Sequence, residues 1–271
     1  LLKDFGIEVE FYPPRINRRI AEHFKENTRL LYLESPGSLT FEVQDVPTMS
    51  TLARKHNIVT ICDDTWGTAL HYPVLALGAD IVVEAATKYI AGHSDVNLGI
   101  AAANGTLGKK LRATAGALGI CAGPEDLYLG LRGLRTMRLR LEQSASNGLM
   151  LAQALAKHPL VMDILHPALN SSPDNELYKR DFYGSCGLFG FVLPKTISQD
   201  KLDKAVESME IFAIGDSWGG YESLIKQAHL DSGLRQFTPE HSPGHLIRVY
   251  AGIEHGPDLQ RDLFQMLDVL D

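Results

Sequence analysis

The chain has 271 residues, 45% of them hydrophobic and 22% charged, which is enough apolar material for a substantial core and the profile of a soluble globular protein. Its 33 acidic residues against 26 basic ones give a net charge of -7 spread along the chain, which argues against nucleic acid or an anionic membrane as a partner. Cys62, Cys121 and Cys186 lie far apart with no C-x-x-C pair, so neither a disulfide framework nor a zinc site is indicated and a reducing, cytoplasmic setting is expected.

In chain order, the start Leu1-Leu2-Lys3-Asp4-Phe5 lacks both a methionine and the basic-then-apolar order of a signal peptide, which suggests a piece of a longer product. No apolar run approaches the ~20 residues of a membrane span. Ile16, Ile20, Ala21 and Phe24 recur at helical spacing and predict a helix over 16–25, followed by a buried strand over 30–33. Ser35-Pro36-Gly37-Ser38 is a turn. A helix is expected over 47–55 with Pro47 in its first turn, then a strand over 58–62 that delivers Asp63 at its carboxyl end. Apolar strands are expected over 80–83 and 99–103. Because these runs lack polar alternation, both faces of the sheet should be covered.

Beyond Pro124 the pattern reads as one long helical stretch to about Lys157, closed by His158-Pro159. A strand over 188–193, a helix near 198–208, a strand over 246–251 and a helix after Pro257 complete the chain, and residues 167–175 read as a mobile surface loop. The fold class is therefore α/β: a mostly parallel sheet in a large domain over 1–133, then a smaller α+β domain over 134–271. In such sheets functional residues gather beyond the carboxyl ends of the strands, where both Asp63 and Lys88 fall.

Lys88 follows small residues and Thr87 at the end of an apolar strand. Near a buried site, desolvation lowers an ammonium pKa and makes available the neutral amine that a Schiff base requires. Taken alone, Lys88 reads more readily as an exposed strand-end lysine, Asp63 equally as a turn or helix-cap aspartate, and Trp218 alternatively as a core residue.

Several separate runs change that balance: Glu34-Ser35-Pro36-Gly37-Ser38, Asp63-Asp64-Thr65, Thr87-Lys88-Tyr89, Arg132-Gly133-Leu134-Arg135-Thr136, Ser217-Trp218-Gly219-Gly220-Tyr221-Glu222-Ser223-Leu224 and Leu246-Ile247-Arg248. In that order they resemble the Cys/Met-metabolism family of pyridoxal-phosphate enzymes over nearly the whole chain. The first and the Ser217 runs look most like its bacterial cystathionine β-lyases. The resemblance implies the type I, aspartate-aminotransferase-like fold with an incomplete large domain, and pyridoxal 5'-phosphate as cofactor. It implies Lys88 as the Schiff-base and general-base lysine and Asp63 as partner of the pyridine nitrogen, with Thr65 and Thr87 also on the cofactor. Ser217, Trp218 and Arg248 would meet a small sulfur-containing amino acid. The implied reaction is β-elimination of cystathionine to homocysteine, pyruvate and ammonia, with a γ-lyase or γ-synthase as the alternative. Many relatives have a serine three residues before the lysine, where this chain has Ala85, and the family's phosphate loop, ring-stacking aromatic and Tyr-x-Arg arm are not in this sequence. A homodimer, often doubled to a tetramer, is the implied assembly.

Three other patterns compete. Gly215-Asp216-Ser217-Trp218-Gly219 fits the G-x-S-x-G pattern of a serine hydrolase, with Asp231 and His255 following in the matching order. His241 and His245 have the spacing of a helical metal pair, but Pro243-Gly244 intervenes and no metal is expected. Arg132, Arg135 and Arg138 at every third position suggest a basic stripe on one helical face.

Overall fold

The computed structural model describes residues 2–230 and 244–270. The apolar positions before the first strand wind into a 3-10 helix, Asn17–His23, and not the α-helix expected over 16–25; of its residues Ile20 is buried. Strand β1, Leu30–Glu34, follows, and helix α1, Val46–Lys55, begins with the Asp45 side chain accepting the Thr48 amide at 3.2 Å and proline in its first turn. That arrangement satisfies an orphan amide where the proline has none to offer. Strand β2, Val59–Asp63, short helix α2, Thr68–His71, strand β3, Ile81–Glu84, and strand β4, Ile100–Ala103, complete the first sheet. Its order is β1-β2-β3-β4; the first three strands are parallel and β4 runs antiparallel to β3.

Register places Glu34, Asp63 and Val83 side by side, so the carboxyl ends of three strands converge on one rim. The sheet is not covered on both faces. Leu31, Leu33, Cys62 and Val82 point into the core, whereas Leu30 and Tyr32 on the other face are exposed among the described residues.

Helix α3, Gly105–Ala117, has no buried residue and was not expected. The long helical stretch is two helices, α4, Pro124–Leu134, and α5, Met137–Leu155, broken at Arg135 and Thr136. Arg132, Arg135 and Arg138 thus fall on α4, the break and α5 and form no stripe on one face; Arg138 pairs with Glu142 at 2.7 Å. Strand β5, Asp163–Leu165, helix α6, Asn175–Asp181, strand β6, Leu188–Leu193, helix α7, Gln199–Glu207, and strands β7, Ala213–Ile214, β8, Leu224–Ala228, and β9, His245–Tyr250, precede the last helix, α8, Gly256–Leu270. The second sheet runs β5-β6-β9-β8-β7.

Every residue of β6 is buried, and α8 lays Leu259, Leu263, Met266, Leu267 and Leu270 over the second core at helical spacing. Each such leucine contributes about 2 kcal/mol by leaving water. The stretch 167–175 is anchored, contrary to a mobile surface loop: buried Asp174 takes the Arg15 Nε at 2.9 Å and the Val43 amide at 3.1 Å.

Candidate active site

A single π-helical turn, Thr87–Ala91, follows β3, and Lys88 inside it leaves helical backbone geometry with φ -77° and ψ -116°. The turn is held from below by Arg140 of α5. This buried guanidinium donates through Nη2 to the carbonyls of Tyr89 at 2.9 Å, Ile90 at 3.3 Å and Gly133 at 2.8 Å. Neither Arg140 nor the close approach of Gly133 to the Ala91 carbonyl was apparent from sequence, since both depend on α4 and α5 crossing beneath the turn.

The Lys88 Nζ donates to the Ser217 Oγ at 2.8 Å and lies 5.2 Å from the centre of the Trp218 ring. Burial, and then the nearby positive charge of Arg248, lower the lysine pKa below its ordinary value, as a proton-accepting amine requires. Trp218 in turn meets Tyr89 edge-to-face at 5.7 Å. Gly219 sits against Lys88 itself: at φ +83°, a Cβ there would come within 2.8 Å of the Lys88 Cβ and 2.9 Å of its Cα. Glycine at this position lets the 217–219 strap lie directly on the lysine.

Arg248 of β9 reaches back with its Nη2 to the carbonyls of Asp216 at 2.6 Å, Gly215 at 3.2 Å and Ser217 at 3.4 Å. The strap and the guanidinium therefore form one unit beside Lys88. Desolvation lowers the arginine's proton affinity without removing its charge.

At the rim of the first sheet, the Asp63 Oδ1 accepts the Thr65 amide at 3.0 Å and its hydroxyl at 2.6 Å, and Oδ2 accepts the Tyr32 hydroxyl at 3.4 Å. The Thr65 hydroxyl also accepts the Ala85 amide at 2.9 Å, so this threonine ties Asp63 to the segment before Lys88. Tyr32 was missed in the sequence because it reads as one more apolar strand residue. The Thr87 hydroxyl accepts the Leu98 amide at 2.8 Å and donates toward the Leu98 carbonyl at 3.2 Å, joining the lysine turn to the approach of β4.

The competing patterns resolve differently. Ser217 meets Lys88, while His255 pairs with Asp258 at 3.2 Å; Asp231 lies outside the described residues. His245 is a strand residue whose ring nitrogens meet Gln227 at 3.1 Å and the Ile197 carbonyl at 2.9 Å, and His241 also lies outside the described residues. Among the described residues no group of three His, Cys, Asp or Glu side chains could hold a metal ion. None of their helices is long and apolar enough to cross a membrane.

The constellation fits pyridoxal phosphate on its own geometry. A partly desolvated lysine, an oriented carboxylate on the neighbouring strand end and a glycine cradle against that lysine are the protein parts such a group needs. The model of the Cys/Met metabolism PLP-dependent enzymes matches residues 1–268. A putative cystathionine beta-lyase of Rhizobium johnstonii is 43% identical over 97% of this chain and 67% of its own length. The cystathionine beta-lyase MetC of Escherichia coli is 38% identical over 97% of this chain and 68% of its own length. Among solved structures, a cystathionine gamma-lyase from Lactobacillus plantarum complexed with L-serine superposes with a TM-score of 0.90 at 26% identity, covering all of this chain and 71% of the other. The chain thus spans about two thirds of the length of the relatives it matches. It belongs to the Cys/Met metabolism PLP-dependent enzyme family, with pyridoxal 5'-phosphate as its cofactor and the framework of a carbon–sulfur lyase.

Proposed function

We propose that the protein performs β-elimination on a small sulfur-containing amino acid, L-cystathionine foremost, releasing homocysteine, pyruvate and ammonia. The observation that carries the reading is the contact of Lys88 with the Ser217 strap that Arg248 braces, since it puts a proton-accepting amine beside a carboxylate-binding cation. When bound, the cofactor supplies an electron sink for the charge left on the α-carbon. Lys88 Nζ, neutral in the fraction that desolvation favours, takes the α-proton. Ser217 Oγ orients that nitrogen. Arg248 grips the substrate carboxylate with a planar fork and holds the α-carbon over Lys88. Asp63 holds a proton on the pyridine nitrogen, and Thr65 keeps its carboxylate turned for that task. Thr87 sits next to the lysine, where its hydroxyl would serve the phosphate.

As the Cβ–S bond breaks, its electron pair leaves on the thiolate, which takes up a proton, and water hydrolyses the remaining three-carbon enamine to pyruvate and ammonia. Division into a cofactor domain over 1–133 and a smaller domain over 134–271 belongs to this proposal, as do cytoplasmic residence and a homodimer or homotetramer.

The test is to add pyridoxal phosphate, reduce with borohydride and locate the modified peptide, using both this chain and the full-length protein. An adduct on Lys88 and pyruvate from cystathionine support the reading. Production of 2-oxobutyrate would assign the γ-lyase alternative. Absence of any adduct on Lys88 in the full-length protein refutes the assignment.

A further inference from the structure

Behind the cofactor rim, on the opposite, buried face of the first sheet, lies a pair of acids that the reaction above does not use. Asp64 has no exposed surface, and both of its carboxyl oxygens are buried without a hydrogen-bond partner. Glu84, at the end of β3, is 6% exposed and takes one hydrogen bond, from the Ala69 amide of α2. The groups acting on Asp64 are Asp63 from β2 and Glu84 from β3; Cys62 of β2 and Tyr72 beyond α2 are themselves affected by its charge. Asp63 acts likewise on Glu84. None of these neighbours is a cation. The space is closed as well, because a Cβ on Gly67 would come within 2.8 Å of the Asp64 Oδ1.

A carboxylate in a dry site with two acidic neighbours and no donor cannot keep its charge, whereas a neutral acid there costs far less. Asp64 and Glu84 nevertheless differ: Glu84 has an amide donor that favours its charged form, and Asp64 has none. We propose that Asp64 and Glu84 are positioning residues for Asp63: Asp64 stays a neutral carboxylic acid, while Glu84 gains or loses a proton and so switches a negative charge on or off behind the Asp63 carboxylate. This rests on the reading of Asp63 as the partner of the pyridine nitrogen. An ionised Glu84 strengthens the negative potential at that nitrogen and tightens its hold on the proton; a neutral Glu84 relaxes it. Burial raises the proton affinity of both acids, well above the ordinary range for Asp64 and to about 7 for Glu84, which brings the switch into the working range of a cell.

Two measurements separate the parts. Infrared spectra of the cofactor-free chain, each differenced against the matching variant at the same pH from mildly acidic to mildly alkaline, should show two protonated carboxyl bands. One, abolished by Asp64→Asn, persists throughout; the other, abolished by Glu84→Gln, fades near neutrality. In the full-length holoenzyme, the nitrogen-15 shift of ring-labelled cofactor should report a roughly tenfold weaker hold on the ring proton in Glu84→Gln. Loss of the persistent band in the wild type at alkaline pH, or an unchanged ring-nitrogen titration in Glu84→Gln, overturns the proposal. Failure of the holoenzyme to form at all refutes the Asp63 assignment, and the infrared bands then decide the state of the two acids by themselves.

Discussion

Replacing Gly219 by alanine should do more than strain a turn, because the methyl group would be driven into the backbone of Lys88. Two costs are expected. Holding an L-residue in left-handed backbone costs about 1–2 kcal/mol. Forcing atoms into a filled contact adds about 1–3 kcal/mol, and here the obstructing atoms are the Lys88 Cβ, Cα and carbonyl carbon at 2.8, 2.9 and 3.0 Å, which cannot swing aside like the tip of a side chain. Gly105 provides the control: it also has positive φ, +58°, but a Cβ there would meet nothing within 4 Å. Gly105→Ala should therefore lose only the first cost, and Gly219→Ala both, for a total of about 2–5 kcal/mol. Urea unfolding of the two variants gives the difference directly. Borohydride trapping on Lys88 in the full-length protein should be impaired in Gly219→Ala and unaffected in Gly105→Ala. Equal destabilisation of the two variants, with trapping intact in both, would refute the claim that the 217–219 strap is fitted to the lysine.

Three further substitutions follow from the same geometry. Arg248→Lys removes the Nη2 that braces three carbonyls and the planar fork offered to a carboxylate, and should cut kcat/KM for cystathionine by about thirtyfold, or ~2 kcal/mol, mainly through KM. Asp262→Ala orphans the amides of Glu210, Ile211 and Phe212, which the carboxylate accepts at 2.8, 2.9 and 3.0 Å, and should lower unfolding stability by about 3 kcal/mol or more in denaturant titrations. His166 is fully buried, its Nε2 has no partner, and burial pushes its pKa down to about 4 from 6.5. The unfolded chain then binds the extra proton first, so the stability present above pH 6.5 is lost as pH falls toward 4, by up to about 3 kcal/mol; His166→Asn should flatten that part of the urea-midpoint profile.

Much of the first sheet is legible in the sequence because β1, β2 and β3 are largely apolar runs of strand length, which declare themselves without polar alternation. β4 fits the same pattern yet is mostly exposed among the described residues, since small alanines carry little information about what covers them. The break between α4 and α5 is invisible for a related reason: neither Arg135 nor Thr136 is a strong helix breaker locally, and the Gly133 carbonyl at the break is taken by the Thr136 amide and by Arg140 from the following turn.

The site divides along the same line. Asp63 and Lys88 are recoverable because each stands where a strand ends, a position that local pattern marks. Arg248 is recoverable from motif alone; its hold on the 215–217 strap crosses more than thirty residues of sequence, and nothing local encodes it. Tyr32 and the Asp64–Glu84 pair are harder still. Side chains alternate faces along a strand, so neighbours in sequence such as Asp63 and Asp64 serve opposite sides of the sheet. The sequence Asp-Asp therefore reads as two equivalent charges, while the fold turns one to the strand-end rim and leaves the other sealed in the core without a counter-charge. The chemistry of the pair is set by that alternation, and it makes the neutral acid behind Asp63 a property of the tertiary structure that no residue count could disclose.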